Sequence, residues 1–188
     1  MSIEIKNLTK SFGEKRVIDG LSLFLPERGF VAITGKSGRG KTTLLRILVG
    51  LEKPDSGEII FNPANPRFSM VFQEDRLLEK ETALENASIA GDAAHAKDIL
   101  SALNLADVMD QKVSKLSGGM ARRVAIARAL AAEADIYIFD EPIKGLDKET
   151  ARLALDVIKK ETEGKLVLYV SHSEGEISGA DEVIELEK

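Results

Sequence analysis

The segment that most constrains the fold of this chain is a glycine-rich loop between a predicted strand and a predicted helix. The apolar run Phe30–Ile33 predicts a buried strand, and an apolar-periodic helix begins near Lys41. The pattern G-x-x-x-x-G-K-[ST] lies between this strand and this helix and extends into the first helical residues, from Gly35 to Thr42. Such a loop is typical of phosphate binding, because glycines let backbone N–H groups approach phosphate oxygens and the helix adds partial positive charge. The alternative, a glycine-rich turn that binds nothing, seldom arises by chance in this context.

The phosphate loop (residues 35–43) assigns chemistry to individual side chains. Lys41 is expected to reach the β- and γ-phosphates of a nucleotide, and the Thr42 hydroxyl is expected to bind Mg²⁺. The pattern alone leaves open which nucleotide is bound. The predicted nucleotide-binding residues of the loop are Gly35, Lys36, Ser37, Gly38, Arg39, Gly40, Lys41, Thr42 and Thr43.

Composition limits what the whole chain can be. The 188 residues are 44% hydrophobic and 30% charged, which is typical of a soluble globular domain. A net charge of −5 without a dense basic run argues against nucleic acid as a direct partner. No apolar run approaches the roughly 20 residues that a spanning helix needs, and no secretory signal is evident, so the predicted location is the cytoplasm. The absence of cysteine excludes disulfides and thiolate metal sites.

The remaining pattern predicts an α/β fold with a mostly parallel sheet. Alternating apolar residues from Ile3 to Leu25 predict two or three short antiparallel strands. Residues 77–105 have helical spacing, and Asp92 is expected to cap a helix there. The continuous apolar strands Ile136–Phe139 and Leu166–Val170 alternate with helices, which favours a parallel sheet buried on both faces.

These elements predict one domain over residues 1–188. Its core comprises residues 1–73 and 120–188, with an antiparallel β subdomain at the N-terminus. A short helical subdomain is expected as an insertion at about residues 74–119.

Polar residues follow several predicted strands, and ligands of parallel sheets bind beyond the carboxyl ends of strands. Asp140 is expected to hold Mg²⁺, and Glu141 to act as the general base for a water molecule. Gln73 could contribute its amide to both the metal and the water. Without the phosphate loop, Asp140 and Glu141 would read as solvated turn charges, and Gln73 as an exposed loop residue.

Read together, the motifs resemble the ATP-binding subunit of ABC (ATP-binding cassette) transporters, whose fold is that of a P-loop NTPase. The signature segment of that family, LSGG followed by a fifth residue, matches Leu116–Met120. The resemblance covers essentially the whole chain in the family's order, and its segments are Phe12, Gly35–Thr43, Gln73, Leu116–Met120, Ile136–Glu141, Gly145–Asp147 and His172. It implies that Phe12 stacks on adenine, where the residues alone allow a packing role. It also implies that His172 contacts the γ-phosphate and joins Glu141 and Gln73 as catalytic residues.

The same resemblance implies partners and cofactors. Two subunits would enclose two ATP molecules, each with Mg²⁺. The residues Ser117, Gly118 and Gly119 of one subunit would then bind the ATP held by the other. A homodimer of this kind would serve separate transmembrane permease subunits, so the chain would lie at the inner face of the cell membrane. The text VFQEDRLL, followed by ETALEN, resembles subunits of sulfonate, nitrate or taurine importers.

Some residues depart from the family pattern. Met120 replaces the usual glutamine of the signature segment, and Lys144-Gly145 stand where Ser-Ala is usual. Three other functions compete with transport. They are a superfamily ATPase acting on nucleic acid or the ribosome, a phosphate-loop kinase or GTPase, and a binding module that does not hydrolyse nucleotide.

Overall fold

The computed structural model describes residues 2–171 and 173–186 and has two sheets with helices packed against them. The strands are β1 (Ser2–Phe12), β2 (Lys15–Leu25), β3 (Gly29–Thr34), β4 (Ser56–Asn62), β5 (Phe68–Val71), β6 (Ile136–Asp140), β7 (Leu166–Val170) and β8 (Glu182–Glu185). The helices are α1 (Lys41–Leu48), α2 (Ala83–Ser88), α3 (Ala93–Ala102), α4 (Gly118–Ala131), α5 (Lys148–Glu161) and α6 (Glu174–Ile177), with 3₁₀ turns at Ala106–Val108 and Val113–Lys115. Within the described ranges, no helix is both long enough and apolar enough to cross a membrane.

The sheet topology confirms the predicted fold class. Five strands form a parallel sheet in the order β5-β6-β7-β3-β8. Three form an antiparallel sheet in the order β2-β1-β4. The prediction of short N-terminal strands was wrong, because β1 and β2 have 11 residues each. Register shifts along their pairing let the two strands continue where strict apolar alternation breaks.

The central strands of the parallel sheet are buried on both faces, as their unbroken apolar sequences predicted. Ile136 and Ile138 of β6 face an apolar cluster that includes α1 and the antiparallel sheet. Tyr137 and Phe139 point to the opposite face, where the apolar cluster continues into α2, α3, α4 and α5. This alternation follows from the pleat of a strand, in which successive side chains point to opposite faces. As a result, the carboxyl end of β6 lies between two packed layers.

In the segment between β5 and β6, the first helix, α2, begins at Ala83, six residues later than the helical spacing from residue 77 suggests. Thr82 caps α2, since its hydroxyl accepts the backbone N–H of Glu85 at 3.1 Å while the Glu85 carboxylate accepts the N–H of Thr82 at 2.7 Å. The predicted cap at Asp92 is confirmed, because its carboxylate accepts the N–H of His95 at 2.9 Å. The division into core and helical subdomain stays a prediction.

A buried amide holds the chain ahead of α2 in a non-helical form. The side chain of Asn86 accepts the N–H of Leu78 at 2.8 Å and donates to the Leu78 carbonyl at 3.0 Å. These two bonds satisfy backbone groups that a helix would otherwise pair. Residues 77–82 therefore form a loop despite their helical spacing.

Candidate functional site

The phosphate loop lies at the carboxyl end of β3, and its shape requires glycine at two positions. Gly35 and Gly40 have φ of +129° and +88°, in the region that favours glycine. A Cβ at Gly35 would lie 2.8 Å from the carbonyl oxygen of Leu186, and one at Gly40 would lie 2.9 Å from that of Val17. The glycine spacing seen in the sequence therefore reflects close approach of the loop to two neighbouring strands.

Lys41 begins α1 and is buried in the loop. Its ammonium donates to the carbonyl oxygens of Gly35 at 2.7 Å and Lys36 at 3.2 Å. Burial lowers the pKa of Lys41, while the nearby charges of Glu141 and Asp140 oppose the shift. A buried ammonium that donates to backbone carbonyls is well placed to bind an anion, because an anion would compensate its desolvation better than neutral oxygens do.

Asp140 ends β6 and contacts the next loop residue directly. The hydroxyl of Thr42 donates to Asp140 Oδ2 at 2.7 Å. The other carboxylate oxygen, Oδ1, is the one buried side-chain oxygen or nitrogen in residues 2–171 and 173–186 that has no hydrogen-bond partner. Burial, with the adjacent charge of Glu141, raises the pKa of Asp140, although contacts from the side chains of Thr42 and Gln73 and the charge of Lys41 offset part of the shift. An unpaired, buried carboxylate oxygen fits a site that a cation completes.

Glu141 follows Asp140 in a left-handed backbone conformation with φ of +51°. Its N–H donates to the carbonyl oxygen of Val170 at 3.1 Å, which fixes the residue at the end of β7 as well as β6. Such a conformation is costly for a residue with a side chain and is found mostly where a side chain must be aimed. Its carboxylate forms an ion pair with Lys144, whose Nζ lies 2.5 Å from Oε2.

A cavity of about 310 Å³ brings three of the predicted regions together. Gln73 and Glu141 border it, and so do Gly118 and Gly119 of the signature segment and Lys144. The structure therefore places the predicted base, the predicted amide and part of the predicted signature segment around one opening.

Ser117 caps the helix of the signature segment. Its hydroxyl accepts the N–H of Met120 at 3.3 Å, and both Ser117 and Gly118 are exposed. Neither residue, nor Gly119, lines the larger cavity beside the phosphate loop of the same chain. The binding of a second subunit's nucleotide by the signature segment stays a prediction.

The larger cavity, of about 870 Å³, lies between the phosphate loop and β2. Lys36 and Arg39 of the loop and Lys15 of β2 border it, giving it a basic wall. Phe12 does not line this cavity, but it pairs with Lys15 across the β1–β2 turn and is 50% exposed. Stacking of Phe12 on a base stays a prediction. The predicted role of His172 falls outside the described residues.

Arg122 is a site residue that the motifs did not reveal. It is buried in α4, and its guanidinium joins the segment after β5 to the end of β6. The acceptors are the carbonyl oxygens of Phe72 (2.7 Å), Gln73 (3.3 Å), Asp140 (3.2 Å), Glu141 (2.7 Å) and Pro142 (2.7 Å), and the carboxylate of Asp75 (2.9 Å). One signal was available: Arg122 lies on the same helical face as the apolar residues Ile126 and Ala129, four and seven positions later.

Comparison with known proteins gives consistent matches. A family model described as "ABC transporter" matches residues 18–144. The aliphatic sulfonates import ATP-binding protein SsuB 1 of Agrobacterium fabrum is 40% identical over 100% of this chain and 72% of its own length. The aliphatic sulfonates import ATP-binding protein SsuB of Zymomonas mobilis is 38% identical over 100% of this chain and 83% of its own.

Solved structures of similar fold include dimeric and nucleotide-bound proteins. A dimeric post-hydrolysis state of the ATP-binding cassette MJ0796, bound to ADP and Pi, has a TM-score of 0.87 at 31% identity and covers 98% of this chain and 94% of that one. A bacterial Atm1-family ABC exporter with ATP bound has a TM-score of 0.89 at 25% identity and covers 99% of this chain and 37% of that one.

Proposed function

The chain belongs to the ABC transporter family as an ATP-binding and ATP-hydrolysing subunit, and we propose that it powers the import of an aliphatic sulfonate or a similar organic anion. The transported class is proposed from the relatives' names, since the chain is 40% identical over its whole length to an aliphatic sulfonates import ATP-binding protein. In this proposal the chain acts as a homodimer on separate membrane-spanning permease chains. It would lie at the cytoplasmic face of the membrane.

The observation that carries hydrolysis is the meeting of Thr42, Asp140 and Lys41 at one edge of the sheet. Lys41 offers a buried ammonium to the β- and γ-phosphates, and Asp140 Oδ1 offers a buried oxygen without a partner. These residues fit Mg²⁺, which prefers oxygen ligands and commonly completes its shell with phosphate oxygens and water. Asp140 and Thr42 would hold the ion, with the amide of Gln73. When bound, Mg²⁺ supplies positive charge that neutralises the β- and γ-phosphates.

Glu141 is the proposed general base. Its backbone is fixed between β6 and β7, so its side chain is directed from the strand ends toward the cavity shared with Gln73. There the carboxylate would accept a proton from the attacking water, while the Gln73 amide would orient that water. The backbone N–H groups of the phosphate loop would stabilise the negative charge on the phosphates.

The second half of each site would come from a second copy of the chain. Ser117, Gly118 and Gly119 begin α4, a 14-residue helix whose positive end favours anions. Because these residues do not line the cavity beside the phosphate loop of their own chain, the nucleotide they bind would be the partner's. ATP would then hold two subunits together, and hydrolysis would release them.

Replacing Glu141 with glutamine tests the proposed base. The variant should lose ATPase activity by roughly 100-fold or more, the range expected for a general base. It should still bind ATP and should accumulate as an ATP-dependent dimer in size-exclusion chromatography. A Glu141→Gln protein that turns over at the wild-type rate would refute the assignment. Glu149→Gln, an exposed change on α5, is the matched control and should leave the rate unchanged.

Reconstitution tests the transport proposal. The membrane protein that co-purifies with this chain would be placed in vesicles with it, and uptake of a labelled alkanesulfonate from outside would be measured with ATP sealed inside the vesicles. Uptake that requires ATP and this chain supports the proposal. Salt-sensitive association with DNA or ribosomes, with no permease bound, would instead support the non-transport alternative, which neither the relatives' names nor the net charge of −5 favours.

A further inference from the structure

Lys144 contacts the proposed base directly. Its ammonium lies 2.5 Å from Oε2 of Glu141, three residues earlier along the chain. The backbone supports the pairing, because the N–H of Lys144 donates to the carbonyl of Glu141 at 3.2 Å and closes a turn between them. The sequence identified Lys144 only as an unusual residue; the structure identifies the carboxylate that it contacts.

The two partners differ in how far they are free to move. The side chain of Glu141 is 10% exposed, and that of Lys144 is 74% exposed. The glutamate is held by packing and by its backbone at the ends of two strands. The lysine has a flexible stem in solvent, so it is the partner that can leave. The ammonium end of the pair lies in solvent, which screens the attraction and makes exchange of the lysine easy.

We propose that Lys144 is a positioning residue that holds the carboxylate of Glu141 and restrains its use as the base of ATP hydrolysis. While the ammonium occupies Oε2, that oxygen accepts a hydrogen bond from lysine and is less available to a water molecule. This inference rests on the proposed role of Glu141 as the base.

The same cavity indicates what releases the restraint. Lys144 borders the 310 Å³ cavity together with Gly118 and Gly119, the residues that would meet the triphosphate held by a partner subunit. A triphosphate arriving there brings several negative charges within reach of a mobile ammonium. It would compete with the Glu141 carboxylate for Lys144, since phosphate oxygens are strong acceptors for lysine. Release of the base would then follow closure of the dimer.

Replacing Lys144 with methionine tests the restraint, because methionine keeps a flexible chain of similar length without the charge. We expect kcat for ATP to rise roughly two- to fivefold, the range that loss of one ion pair with a solvent-screened lysine allows. KM for ATP should rise in the same variant, because methionine removes the ammonium that would contact the triphosphate held by the partner subunit. Lys144→Arg should keep the wild-type kcat, since arginine restores the charge near the carboxylate.

Lys148→Met is the matched control, an exposed lysine four residues further on that forms no ion pair within the described residues. It should leave kcat unchanged, and thermal melting should show all variants equally folded. An unchanged or lower kcat in Lys144→Met would overturn the inference, and so would a raised KM with unchanged kcat, which would make Lys144 a nucleotide ligand only. If the Glu141→Gln protein hydrolysed ATP at the wild-type rate, the proposed base itself would be refuted. Failure of the restraint by Lys144 and failure of the proposed base are therefore distinguishable.

Discussion

Replacing Asp140 with asparagine is expected to make the nucleotide-free protein more stable and to remove its stabilisation by ATP and Mg²⁺. Asp140 is 1% exposed, and one of its oxygens has no hydrogen-bond partner. Asparagine has nearly the same shape, and its amide oxygen can still accept the Thr42 hydroxyl. The substitution therefore removes a buried charge while leaving the packing around β6 in place.

Two opposing terms set the size of the effect. A buried polar atom without a partner costs about 1–3 kcal/mol when neutral and more when charged, so replacing the carboxylate oxygen with an unpaired amide nitrogen recovers only the part due to charge, roughly 2 kcal/mol. Replacing the charge-assisted hydrogen bond from Thr42 with a neutral one destabilises the variant by about 1 kcal/mol, which offsets part of the gain from removing the charge. We expect a net increase of about 1 kcal/mol in the free energy of unfolding, or about 2–4 °C in melting temperature for a chain of this size.

The stability difference should depend on pH in a defined direction. Because the pKa of Asp140 is raised above its ordinary value of 3.8, the native state binds more protons than the unfolded state between that value and the native pKa. The aspartate's contribution to stability therefore falls as pH rises through this window. Asparagine does not titrate, so the advantage of Asp140→Asn should be small below pH 4 and should grow as the pH rises above that value.

Urea unfolding of both proteins, with and without ATP and Mg²⁺, provides the assay. A ligand at 100 times its dissociation constant stabilises the wild type by about 2.7 kcal/mol, and the variant should lose most of this. The order of stability should thus reverse when nucleotide and metal are added. If the nucleotide-free variant were less stable than wild type at neutral pH, the reasoning from the unpaired carboxylate oxygen would be refuted.

Two further substitutions test the rest of the site. Ser117→Arg places a bulky cation on the signature segment and should lower ATPase activity by about 100-fold while leaving ATP binding by the monomer intact. Steady-state turnover measures the activity and calorimetry measures the binding. Normal turnover would contradict the two-subunit site. Arg122→Met strips six acceptors of a buried guanidinium and should lower the free energy of unfolding by about 3–5 kcal/mol. Arg152→Met, at a side chain 87% exposed, should change it by less than about 0.5 kcal/mol in the same urea titration.

The features that the sequence predicted correctly depend on local pattern. The strand before the phosphate loop and the strand before Asp140 are unbroken apolar runs, and the loop glycines are set by backbone conformation. Asp140 and Thr42 lie 98 positions apart, yet their meeting was predictable because both follow parallel strands whose ends share one edge of the sheet.

The features that the sequence did not predict depend on particular side-chain contacts. The helix expected from residue 77 is replaced by a loop because the Asn86 amide pairs with the backbone of Leu78. Arg122 carries no motif of its own, and its role follows from carbonyl groups contributed by two distant segments. The contact between Lys144 and Glu141 depends on the turn that follows Glu141, and no periodic pattern in the sequence indicates that turn.

The placement of Arg122 on α4 has a consequence for how the two nucleotide sites of a dimer would be coupled. The first residues of α4 are those proposed to meet a partner's ATP, and Arg122 follows within little more than one turn. The helix proposed to meet the neighbouring nucleotide is thus linked, through one guanidinium, to the backbone carbonyls of Gln73 and Glu141 in its own chain. A shift of α4 on contact with the partner would therefore act on the backbone of the proposed amide and the proposed base. Hydrolysis of ATP in one subunit would therefore depend on whether the neighbouring subunit has ATP bound.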